Sequence, residues 1–518
     1  MSVAFKRYLS VWLKRLSTDR VECRLSAPGE APLVIVERVK SALRICALND
    51  AASALALKLW MPLADARAMY PSLHVADADP QADRALLEAA ADWCDRYTPL
   101  VGLDPPDGLL LDISGCAHLF GGEQALADDL AARFHRQGLR VEIGLADTVG
   151  CAWAAARYGE APLVPKGAMR DVMLPLPLAA LRLGGKTVSA LAQAGLKRIA
   201  DVVDRPRAPL AARFGQEFLR RLDQALGRED ESIRPRLALP SYVAERRFAD
   251  PILLEADVLG SIEQLARELG IVMERRGQGA RLLQAALYRT DGKVYRIEAG
   301  TGEPLRDPAR IQRLFAERLT RIGDDCDPGF GYDQVRLSVL TAEQVDPAQT
   351  GLAGNDHSAE LAHLIDRLSA RLGSRRVTRP VPCDSHIPEY AVAAIPAQTA
   401  RLEFVPAPIK QDSLGHARPL RLFAQPEPIE AVAEVPDGPP ARFRWRHILH
   451  EVVAAEGPER IAMEWWRNAE GEKLTRDYFR VESKEGMRIW LYREGLYGRE
   501  KLDQPNWRPR WYAHGLFA

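Results

Sequence analysis

The sequence is poor in the features that would place it in a special class. Seven cysteines in 518 residues, at 23, 46, 94, 116, 151, 326 and 383, are odd in number and contain no C-x-x-C pair. That spacing argues against a disulfide framework and a zinc knuckle, and implies reduced, mostly buried thiols. No run reaches the roughly 18 apolar residues of a membrane span. The start, MSVAFKRYLSVWLKRL, has charges interrupting its apolar residues, unlike the core of a secretory leader. A cytoplasmic protein is expected. Net charge is also lacking, because 70 basic residues balance 70 acidic ones. Contacts with nucleic acid must therefore come from local clusters and not from a global positive field. What is present is a 47% apolar composition over a length too great for one core, which implies several folded domains.

Periodicity divides the chain. Tyr8–Leu13 and Leu33–Val36 read as strands, and apolar Leu63, Ala66 and Met69 form a helix entered through Met61-Pro62. Residues 82–97 form a longer helix, Leu109–Ile113 an apolar strand of the type buried on both faces, Ala125–Arg136 a helix and Arg140–Leu145 a strand. This alternation indicates an α/β or α+β domain. Leu174–Val203 reads as two short helices around Gly184-Gly185, with a second turn at Gly195. That is a helix-hairpin-helix pattern, in which Gly184 and Gly185 offer backbone amides to a phosphate and Lys186 and Thr187 add donors.

From Ser241 the pattern is strand, long helix (Leu254–Arg276), two strands, helix (Pro308–Ile322) and strand, a separate α+β module with helices on one side of an antiparallel sheet. Its arginines include Arg246, Arg247, Arg281 and Arg289, interleaved with acidic residues. Residues 377–440 are proline-rich and read as an extended linker with short ordered pieces. Six of the ten tryptophans (445, 465, 466, 490, 507 and 511) fall in the last 78 residues, where period-two stretches suggest a small β-rich domain.

The central string DGLLLDISGCAHLFGG, Asp107–Gly122, has the frame of a polymerase palm motif. Together with WMPLADAR (Trp60–Arg67), VEIGLADTVGCAWAAARYG (Val141–Gly159) and the Leu181–Asp201 segment, it resembles the Y-family DNA polymerases in chain order. The strings DSHIPEYA, RPLRLF, TRDYFRVE, WLYREGLY and PRWYAHGLFA make the chain most similar to ImuB-type proteins, the polymerase homologues of bacterial mutagenesis cassettes.

The resemblance implies an α+β multidomain fold: a palm over 1–14 and 76–168, fingers over 15–75, a helix-hairpin-helix thumb over 169–236 and a little finger over 241–375. A Pro-rich linker over 376–440 and a β-rich C-terminal domain over 441–518 complete it.

The departures from the polymerase pattern lie at the metal site. Where the active family has an Asp closing the first palm strand, this chain has Trp12 or Leu13; where it has an Asp-Glu pair, this chain has Asp107-Gly108. Two-metal phosphoryl transfer needs carboxylates to clamp the ions, and Asp107 alone makes a poor site. No catalytic residue and no cofactor are therefore expected. The alternative is an active polymerase using Mg2+ at an unusual site.

The resemblance further implies a non-catalytic adaptor that binds DNA and joins a sliding clamp, a RecA-like accessory protein and an error-prone C-family polymerase. Candidate DNA contacts are Gly184–Thr187 with Arg246, Arg247, Arg281 and Arg289. Candidate clamp contacts are Gln411, Ser413 and Leu414, with Leu420–Phe423 as the alternative peptide. Candidate partner contacts are Trp465, Trp466, Trp511 and Phe517.

Overall fold

The computed structural model describes residues 6–23, 31–237, 239–345, 357–399, 418–434, 437–464, 466, 474–495 and 509–517. The chain divides into two compact units, Met1–Arg371 and Leu372–Ala518.

The first unit is organised on an antiparallel sheet in the order Val101–Asp104, Gly108–Asp112, Tyr8–Trp12, Glu142–Ala146. Its strands are apolar runs because both faces are covered. Leu109 and Leu111 pack with Leu9, Val11 and Leu145 against helices Pro80–Cys94 and Glu123–Arg136. Leu110 points the other way, to the core built by helix Val149–Tyr158 and the short helices of residues 169–225.

A smaller three-stranded sheet, Ala42–Leu48, Leu33–Val39, His74–Asp77, carries helix Leu63–Met69 behind Pro62. The expected boundary at 75 cuts the strand His74–Asp77. That strand pairs in parallel with Leu33–Val39, so the small sheet runs to Asp77. Strand Ala42–Leu48 escaped the sequence reading because the turn before it is made by Lys40 at φ 55° with no Gly or Asn to mark it.

The following module is a sheet in the order Val294–Leu305, Gln278–Arg289, Tyr332–Gln344, Tyr242–Ile252. Helices Glu255–Arg275 and Pro308–Ile322 bury Val258, Ile262, Leu265, Leu314 and Phe315 on one face of it. Helix His357–Leu372 is an addition that the sequence reading did not include.

The second unit holds a two-stranded hairpin, Thr378–Pro382 with Val392–Pro396, and a closed six-stranded barrel. The barrel strands are Arg421–Ala433, Pro440–Trp445, Ile448–Ile461, Arg476–Ser483, Arg488–Glu494 and Arg510–Leu516. This corrects the linker expected to run to 440, since residues 421–433 form a barrel strand. Pro426 is tolerated there because it falls in the register shift between Leu422 and Glu427, where the ladder is already interrupted. Phe443, Trp445, Phe479, Val481, Ile489, Leu491 and Trp511 fill the barrel.

Candidate functional site

The register of the palm strands sets Trp12 directly opposite Gly108. Leu13, the other candidate for the first ligand position, is 1% exposed and belongs to the core behind the sheet. The Trp12 indole instead reaches the remaining carboxylate, its Nε1 donating to Asp107 Oδ2 at 2.9 Å.

A second carboxylate lies beside the first. Asp104 Oδ2 accepts from Trp153 Nε1 at 2.7 Å and from Arg157 Nη2 at 3.2 Å, and the same Nη2 is 3.6 Å from Asp107 Oδ1. Trp153 and Arg157 come from one face of helix Val149–Tyr158, four residues apart. The guanidinium lies 4.1 Å from the Trp153 ring centre and 5.2 Å from that of Trp12. Burial draws its pKa below the ordinary arginine value, while Asp104 and Asp107 pull it up. It stays a cation.

Gly108 makes room for this arrangement. A Cβ there would sit 2.8 Å from Asp104 Oδ2, 2.9 Å from the Asp104 carbonyl and 2.9 Å from Arg157 Nη2. The magnesium ions that a polymerase palm implies do not fit these residues: the two positions expected from the resemblance to carry ligands hold an indole and a glycine, and the carboxylates present already hold a cation. Among the described residues, no group of three or more His, Cys, Asp or Glu side chains could hold a metal ion. Asp112, the last position of the palm motif, accepts from Ser114 N at 2.9 Å and serves the turn after its strand.

The expected DNA-contacting residues are only partly brought together. Gly184 is the N-cap and Gly185 the first residue of helix Gly185–Gln193; both are exposed, as is Lys186, while Thr187 is half-buried. Arg246 and Arg247 are exposed on strand Tyr242–Ile252, where Arg247 pairs with Glu245 at 2.9 Å and lies 4.2 Å from the Phe120 ring centre. Arg281 and Arg289 are committed to internal partners, Arg281 to the neighbouring strands and Arg289 to loops. Arg281 donates to the Gly302 carbonyl, and the buried Arg289 binds Asp291 at 3.0 Å through Nε and the Asp327 carbonyl at 2.9 Å.

The expected partner contacts also separate. Trp466 is 63% exposed, Trp511 is buried in the barrel and Phe517 packs beside Tyr478 and Trp490. Trp511 is therefore a core residue, because its alternating position on the closing strand points inward. Trp465 and the peptide Gln411, Ser413, Leu414 lie outside the described residues. The alternative peptide Leu420–Phe423 is not a free extended segment: Leu422 pairs with Gly515, and Phe423 stacks on Trp445 at 6.0 Å. The sequence reading passed over Asp104, Trp153 and Arg157. Their signal was the Trp-x-x-x-Arg spacing on a helix that follows the palm motif.

A palm sheet with an inserted small sheet, a helical thumb and an α+β little finger defines a Y-family polymerase-like protein. Residues 21–157 match the model of the impB/mucB/samB family. The chain is 41% identical over 465 residues to Protein ImuB of Caulobacter vibrioides (strain NA1000 / CB15N), covering 88% of this chain and 98% of that protein. The chain belongs to the ImuB family.

It is also 26% identical over 255 residues to DNA polymerase IV of Alkalilimnicola ehrlichii, covering 48% of this chain and 72% of that one. Among solved structures, DinB from Sulfolobus solfataricus aligns at a TM-score of 0.39 and 14% identity over 64% of this chain and 98% of that chain.

Proposed function

We propose that this chain is a non-catalytic adaptor in damage-induced, error-prone translesion DNA synthesis. It acts in the cytoplasm, binds DNA, and links the sliding clamp to a RecA-like accessory protein and a C-family error-prone polymerase. The observation that carries the non-catalytic part is the palm: Trp12 and Gly108 stand at two of the metal-ligand positions, and Asp107 is already engaged by an indole and an arginine. DNA is held through the start of helix Gly185–Gln193, with Lys186, Arg246 and Arg247 as cationic contacts, so affinity falls steeply with salt as counterions are released. Clamp contact is assigned to Gln411, Ser413 and Leu414, and polymerase or accessory-protein contact to the C-terminal aromatic unit through Trp465 and the exposed Trp466. Large aromatic anchors dominate interface energies, and joining several sites on one chain raises the effective concentration of one partner near another.

The test is primer extension on undamaged and lesion-bearing templates, first with the chain alone and then with clamp, accessory protein and C-family polymerase. Inactivity alone with stimulation of lesion bypass in the mixture is the expected result. Magnesium-dependent synthesis by the chain alone would overturn the reading in favour of an active polymerase.

A further inference from the structure

We infer that the Arg157 guanidinium stands in for the metal ions of this palm, so that the site is complete without a divalent cation and is closed to one. The inference rests on the non-catalytic reading and deepens it by naming the group that closes the site. Losing ligands would by itself leave weak, open carboxylates. Here Asp104 and Asp107 instead converge on one guanidinium nitrogen, at 3.2 and 3.6 Å, and each also accepts an indole N–H, from Trp153 and Trp12 respectively.

The rings that supply those N–H groups also lie against the cation, at 4.1 and 5.2 Å from the two ring centres. A planar, weakly hydrated guanidinium stacks on such rings more readily than a hydrated metal ion does. The Arg157 side chain is 9% exposed. Its Nη1 is buried with no hydrogen-bond partner among the described residues, so part of the cation is held by ring faces and not by oxygen ligands.

Gly108 leaves room for the guanidinium, since a Cβ at 108 would lie 2.9 Å from Arg157 Nη2 as well as 2.8 Å from Asp104 Oδ2. A divalent ion placed between Asp104 and Asp107 would meet a fixed positive charge in a partly buried site, where like charges repel strongly. Returning a carboxylate to position 12 is therefore insufficient to restore metal binding while Arg157 remains.

The test uses the full chain and reads Mn2+ binding by electron paramagnetic resonance, with thermal unfolding as an independent readout. Trp12→Asp with Arg157→Gln is expected to bind Mn2+ at least about ten-fold more tightly than Trp12→Asp alone. Arg157→Gln by itself is expected to gain about 2–4 °C in Tm from Mn2+, while the wild-type chain is unmoved. This second measurement decides the matter if the double variant does not fold. Equal Mn2+ affinity in the two Trp12→Asp variants, or equal thermal responses of wild type and Arg157→Gln, would overturn the inference. Neither readout involves nucleotide incorporation, so primer extension by the wild-type chain remains a separate test of the proposed function.

Discussion

Arg96 and Asp333 join two modules of the first unit through a bidentate pair, with Nη2 to Oδ1 at 2.7 Å and Nη1 to Oδ2 at 3.2 Å. Arg96 follows the palm helix Pro80–Cys94, and Asp333 lies on the little-finger strand Tyr332–Gln344. Arg133 binds the same carboxylate at 2.7 Å, and the Arg96 guanidinium lies 4.6 Å from the Trp93 ring centre and 5.3 Å from that of Tyr288. Nearby, Arg296 adds a pair to Asp92 at 2.9 Å, and Arg336 donates to the Asp95 carbonyl at 2.6 Å.

Asp333→Ala would leave the Arg96 side chain, 4% exposed, without its carboxylate. Stripping one partner from a buried pair costs about 3–5 kcal/mol, and the half-open position of Arg133 places the expected loss near the lower end. Asp333→Asn keeps an acceptor and is expected to cost less. Urea unfolding of the two variants checks the order; equal losses would mean that the pair's charge is immaterial.

Gly108→Ala tests the crowding beside Asp104 and Arg157. The Arg157 end could give way, but the Asp104 carbonyl, 2.9 Å from the added Cβ, is backbone held in register by the Asp104–Gly108 strand pair. Overpacking of this kind costs about 1–3 kcal/mol, expected as a lowered urea midpoint. An unchanged midpoint would show that the strands can spread at no cost.

Asp19 gives the first unit a pH dependence of defined sign. Burial raises its pKa to about 6, against the opposing hydrogen bond from Arg140 N at 2.8 Å. Unfolded, an aspartate titrates near about 4. Between these values the folded chain holds the proton and the unfolded chain does not, so this group's contribution falls as pH rises from about 4 to about 6. Asp19→Asn keeps the acceptor for Arg140 N and removes the buried charge. It is expected to gain about 1–2 kcal/mol at pH 7 and to flatten that part of the profile. Parallel profiles for variant and wild type, from denaturant midpoints between pH 4 and 7, would rule the group out.

Much of this architecture was legible because apolar periodicity records burial directly. The run Leu109–Leu111 announced a strand covered on both faces, and Pro308–Ile322 was read to the residue. Features set by tertiary partners were not legible. Nothing local distinguishes Arg289, which locks a loop, from the exposed Arg246, and nothing near Trp511 says that its strand closes a barrel. At the palm, the resemblance led to the expectation of a missing carboxylate at Gly108. It could not show that Arg157, 49 residues further on, fills the space, because that proximity is created by the sheet and the helix behind it.

The barrel carries its own test at Arg493 and Asp477, both fully buried side chains joined at 2.6 Å on adjacent strands. Burial alone would push the Asp477 carboxyl up, but hydrogen bonds from Arg460 at 2.7 Å and from Arg493 hold it below the usual range. Its contribution to stability is therefore present above about pH 4 and is lost as pH falls through the folded-state pKa. Arg493→Met strands a buried carboxylate with only the partly exposed Arg460 beside it and is expected to cost about 3–5 kcal/mol. Arg493→Met with Asp477→Leu removes both charges from the interior and is expected to recover most of that loss, since a buried pair is often replaceable by apolar side chains of similar size. Denaturant unfolding of the wild type, Arg493→Met, Asp477→Leu and the double variant gives the coupling directly. A double variant as unstable as the sum of its singles would mean that the two groups act through separate neighbours, Asp437 for the arginine and Arg460 for the aspartate.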